Sequence, residues 1–142
     1  MSFFRKFFGN HEESNNVARA RAILEKFIEI SFMPMIDIEE KSSRQGMTTL
    51  LYMFGAVDMI CQVKGVDEQT TMMLFTKMLE NELGEYTGEQ AEALLREVVK
   101  ISAEPEGQQL MKEGAEAIRL WLTNSDPSAP LRLKKLLMSK IE

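Results

Sequence analysis

One stretch constrains the fold more than any other: Met47-Thr-Thr-Leu-Leu-Tyr-Met-Phe-Gly-Ala-Val-Asp-Met-Ile-Cys-Gln-Val63, whose only charged residue between Leu50 and Cys61 is Asp58. At ~100° per residue, Met47, Leu51, Phe54 and Cys61 fall on one side of a helix. Leu50 and Val57 flank that side, and Tyr52, Met53, Ala56, Met59 and Ile60 cover the rest. A helix that is apolar all round belongs inside a protein or a membrane. Spanning a bilayer takes ~17–25 predominantly apolar residues, and this run reads as too short and carries a carboxylate. The expectation is therefore a central, buried helix over about 47–63, with Asp58 projecting from the middle of its stripe.

The flanking sequence predicts more helices and no strands. Val17, Ala20, Ile23, Leu24, Phe27, Ile28 and Phe32 keep helical spacing, with Ser14 as the expected N-cap, Asn15 as the first helical residue and Pro34 as the stop. Glu39 to Gly46 is polar and either opens the central helix or precedes it, and Gly46 sets the expected start at about Met47. Past it, Lys64-Gly65-Val66-Asp67-Glu68 holds a stop glycine and an N-cap aspartate in one joint, which makes the next helix a close neighbour. That helix carries Met72, Phe75, Met78, Leu79 and Leu83 and is expected to close at Gly84. Thr87-Gly-Glu-Gln90 reads as a capping box. It opens a helix with Ala91, Leu94, Leu95, Val98 and Ile101 inward. Pro105 suits the first turn of another, and Gly114 on its apolar stripe points to close approach by a neighbouring helix. Residues 124–130 form a linker before a last helix in which Leu133, Leu136, Leu137 and Ile141 alternate with Arg132, Lys134, Lys135 and Lys140. The fold class is all-α, a bundle-like single domain of six or seven helices over 11–142.

Residues 1–10 stand apart as an amphipathic arm in which Phe3, Phe4, Phe7 and Phe8 gather on one side of a short helix and Arg5 and Lys6 lie away from it. No secretory leader fits, because the cations interrupt the apolar residues. Two readings stay open: an arm that dips into a bilayer or a partner's groove, and a turn folded onto the domain's own core.

Charge is divided along the chain. Its net value is −5, but residues 1–64 sum to zero, 65–126 to −8 and 127–142 to +3. The acidic middle repels phosphate backbones, so no nucleic-acid partner is expected. The basic last helix suits either that acidic middle or an anionic membrane or partner. Cys61 is the only cysteine, so the chain can form no internal disulfide, and a reducing cytoplasm is the default location, at most peripheral to a membrane.

The residue types for most catalytic machinery are missing. His11 is the sole histidine and reads as a surface residue; neither a Ser-His-Asp triad nor a Cys/His zinc site can be assembled around it. Phosphate-loop, dinucleotide and calcium-loop motifs do not occur. No cofactor or metal is expected. The one candidate for carboxylate chemistry or ligand contact is Asp58, with Gln62 a turn further on and Met53 and Met59 beside it. The bland reading pairs Asp58 with Arg19, Arg21 or Arg119, or bonds it to a buried helix terminus, because a buried charge without a partner is costly. Eleven methionines, six of them at Met47, Met53, Met59, Met72, Met73 and Met78, suit either core filling or an adaptable apolar surface.

Phe54-Gly-Ala-Val-Asp58 and Lys64-Gly-Val-Asp-Glu68, followed by an amphipathic helix, resemble the helix–glycine–acidic cap–helix pattern of tellurite-resistance TerB-like domains. The resemblance covers about residues 54–75. It implies a small all-helical bacterial domain, with metal binding or membrane-associated stress complexes suggested for some members. The acidic residue that pattern expects before the joint glycine is Lys64 here, so no metal-site residue carries over. Taken together, the residues favour a non-enzymatic binding or adaptor module with a protein partner. A peripheral membrane protein held by the arm, a ligand-binding protein or enzyme using Asp58, and a homo-oligomer are the alternatives.

Overall fold

A computed structural model of the chain describes residues 11–32, 43–83, 86–124, 126 and 128–139. Within them lie six α-helices and no strand: α1 (His11–Phe32), α2 (Ser43–Val63), α3 (Glu68–Asn81), α4 (Gly88–Ser102), α5 (Pro105–Asn124) and α6 (Arg132–Ser139). A 3-10 turn, Ala129–Leu131, leads into α6. The helices form a compact all-α bundle.

Their ends follow local chemistry. At the α2–α3 joint Val66 N–H donates to the Cys61 carbonyl at 2.8 Å and Gly65 N–H to that of Gln62 at 3.1 Å. This is a Schellman stop, and its left-handed residue is Gly65, at φ 73°. Asp67 then caps α3 by accepting from Thr70 N–H at 2.7 Å. Thr87 and Gln90 exchange both bonds of the capping box. Three boundaries differ from the sequence reading. Ser14 lies inside α1 and does not cap it, because Glu12 and Glu13 favour a helix's first turn and α1 begins at His11. Helix α2 begins at Ser43, not Met47; Arg44 and Gln45 are good helix formers, and an early glycine costs only ~1 kcal/mol. Helix α3 ends at Asn81 with Glu82 as its C-cap. Pro34 and Gly84, the expected stops, lie outside the described residues.

Helix α2 is the centre of the bundle and packs against each of the other five helices, α5 most extensively. Leu51, Tyr52, Met53, Val57, Ile60 and Cys61 are at most 1 % exposed. Burying a large apolar side chain of this kind contributes ~1.5–3 kcal/mol. By length and composition alone, the 18 residues Gly46–Val63, at mean hydropathy 1.3, could cross a membrane, so the run is not too short as the sequence suggested. Its placement in the core rests instead on packing, since 67 % of this stretch is buried inside the domain.

Helices α2 and α5 meet at glycines. A Cβ on Gly55 would fall on the Met111 carbonyl oxygen, and one on Gly114 would fall on that of Tyr52. Their absence lets the two backbones touch. Around this contact Phe54 packs on Phe75 with ring centroids 4.9 Å apart, and Phe27 on Trp121 at 5.6 Å.

Candidate functional site

Among the described residues a cleft lies where the α4–α5 corner meets the first half of α2. Helix α2 contributes Met47, Thr48 and Leu51, which helical spacing sets on one side. The end of α4 contributes Ile101, and the first turns of α5 contribute Glu106, Gly107 and Leu110. The corner is tight because Pro105 opens α5 directly and Gly107 lies against the Ile101 carbonyl, where a Cβ would collide. The resulting space is about 160 Å³, open to solvent and mainly apolar, with Thr48 and Glu106 as its polar side chains.

Asp58 lies elsewhere. It sits about 10 Å further along the α2 axis than Leu51, where Gln62 and Val63 are exposed and the helix is open on that side. Asp58 is half-buried and accepts a hydrogen bond from Gln62 Nε2 at 2.8 Å. Burial pushes its carboxyl above the usual carboxylate range; the Gln62 bond opposes that shift and nearby Glu68 adds to it. None of the expected arginines pairs with it. Arg21 is held by Glu82 at 2.9 Å and Glu25 at 3.8 Å, Arg119 lies 3.9 Å from Glu116, and Arg19 forms no ion pair among the described residues. The partner is thus a neutral amide one turn away, which tolerates a half-buried carboxylate because water still reaches it.

The other expected contacts divide. Met53 is 1 % exposed and belongs to the core, so it is not a surface contact, while Met59 is half-buried against that core. Most of the methionine group is core filling; Met78 is fully buried and Met73 alone of the six is more than half exposed, at 54 %. Cys61 is fully buried, and burial pushes its thiol up. Arg132 docks on the acidic middle through Glu113, with Nε donating to a carboxylate oxygen at 3.0 Å. Lys134 is half-buried and Lys135 exposed. Phe3, Phe4, Arg5, Lys6, Phe7, Phe8 and Lys140 lie outside the described residues. Among the described residues no group of three or more His, Cys, Asp or Glu side chains is placed to hold a metal ion.

Beneath the Arg132–Glu113 pair lies Tyr52, fully buried, whose hydroxyl has no hydrogen-bond partner. Burial pushes its phenol well above the ordinary range; Arg132 opposes that shift and Glu113 adds to it. Neither the cleft nor this hydroxyl was visible from sequence spacing. Met47 and Leu51 read simply as core, and the only local hint of the corner was Pro105 followed closely by Gly107. Comparison of the chain with protein-family models, curated proteins and solved structures found no match.

Proposed function

We propose that this domain is a non-enzymatic binding module, an adaptor that holds one apolar side chain of a protein partner in the cleft between α2 and the α4–α5 corner. The cleft's size carries the reading. Sites that enclose a cofactor or a drug-sized ligand run to ~300–1,000 Å³, whereas about 160 Å³ suits a single anchor side chain. Anchors of that kind dominate the energetics of protein interfaces when they enter a desolvated pocket. Met47 on the rim supplies an adaptable apolar surface, and Thr48 and Glu106 supply polar groups beside it.

Photo-crosslinking in the native host tests this directly. A photoreactive amino acid at Met47 is expected to yield a discrete adduct with one protein, and the same group at exposed Glu89 is not. Adducts that are the same from both positions, or a small molecule captured at Met47 in place of a protein, would refute the adaptor reading.

A further inference from the structure

The turn before α6 and α6 itself present one exposed apolar side chain each, beside lysines. Leu133 and Leu137, at 0 % and 1 % exposure, fix the inner face. Away from that face stand Met138 of α6, 51 % exposed, and Leu131 of the preceding 3-10 turn, 38 % exposed. Exposed Lys135 lies between them at helical spacing, and half-buried Lys134 borders them. Arg132 is engaged by Glu113, whereas Lys134 and Lys135 form no ion pair within 4 Å among the described residues, although Lys135 lies near enough to Asp126 to act on its charge. This short helix therefore has an apolar side for the core and a second, mixed apolar and cationic side facing out.

We infer that the outer face of α6 is a contact site for an anionic lipid surface. Aliphatic tips set between lysines on one face are what a headgroup boundary accepts: the tips enter the acyl edge and the lysine stems carry their charges to the phosphates. Charge selects the same side of the molecule. Residues 127–142 sum to +3 while 65–126 sum to −8, so an anionic surface attracts this end and repels the acidic middle. One short amphipathic element gives marginal, reversible binding.

Flotation of the full chain with vesicles tests the inference, using phosphatidylcholine alone and phosphatidylcholine mixed with phosphatidylglycerol in equal parts. Binding is expected only to the mixed vesicles and is expected to weaken as salt rises. The pair Lys134→Gln, Lys135→Gln is expected to bind roughly thirtyfold more weakly, at about fivefold per cation. The pair Leu131→Ser, Met138→Ser is expected to lose binding as well, and a chain lacking residues 1–10 is expected to keep its dependence on the two lysines. Thermal melts of the lysine pair are expected to match the wild type; Leu131 is 38 % exposed, so if its pair melts early Met138→Gln alone takes that pair's place. Flotation of both α6 pairs at wild-type levels would overturn the inference, even if removal of the arm abolishes binding. So would self-association of the wild type that Leu131→Ser, Met138→Ser abolishes while no vesicle binding is seen, since the face would then join two copies of the chain.

Discussion

Replacing Gly114 with alanine is expected to destabilise the domain by about 3 kcal/mol, lowering Tm by roughly 10 °C. The sign is what makes the substitution informative. In an exposed helix interior, glycine to alanine is a gain of ~1 kcal/mol, because alanine costs less backbone entropy. At Gly114 the added methyl would land on the Tyr52 carbonyl oxygen, a backbone atom that cannot rotate away. Helices α2 and α5 would have to separate along their whole contact, loosening the most extensive packing in the bundle. Gly55→Ala is expected to behave alike through Met111. Gly46→Ala, in the same helix as Gly55 but with no atom within 4 Å of its added methyl, is expected to be neutral or stabilising. Thermal or denaturant unfolding of the three variants side by side decides the matter. Equal effects at Gly46 and Gly114 would mean that the α2–α5 backbone contact does not exist.

Tyr52→Phe is the second large effect, and it runs the other way. The hydroxyl is buried and unpartnered, and leaving such a group unsatisfied costs ~1–3 kcal/mol. Phenylalanine keeps the ring and removes the orphan atom, so the variant is expected to be more stable than wild type by about 1–2 kcal/mol. The nearby Arg132–Glu113 bridge is about one-quarter to one-third exposed, at 33 % and 26 %, and does not depend on the hydroxyl for its hydrogen bond. A measured loss of stability would show that the hydroxyl is bonded after all, to a buried water or to one of those two side chains.

The parts of the fold legible in the sequence are those settled within a few residues. Gly65, Asp67, Thr87 with Gln90, and Pro105 each satisfy or omit a backbone bond at a helix end, and each works locally as its position implies. Gly114 was legible as a close approach because it interrupts an amphipathic stripe. Its counterpart Gly55 was not, because it sits in a run that is apolar on every side and offers no contrast. Asp58 shows the limit of a helical wheel, which places a residue on a face but not against a neighbour. The wheel put Asp58 beside the core stripe, yet the last turns of α2 open to solvent there, and Gln62 takes the role expected of an arginine. The cleft is harder still. It depends on how the corner between α4 and α5 docks onto α2, a relation between residues some fifty positions apart that no local pattern encodes.

The placement of α2 at the centre of the bundle underlies both the cleft and the glycine contact, and residue-resolved hydrogen exchange of the full chain in detergent-free buffer tests it most directly. The amides from Leu51 to Ile60 are expected to exchange more slowly than any others, opening only with global unfolding, while those of α6 exchange sooner. Fast exchange between Leu51 and Ile60, or protection there that develops only when lipid vesicles are added, would contradict a buried core helix and would make α2 a membrane-seeking segment instead.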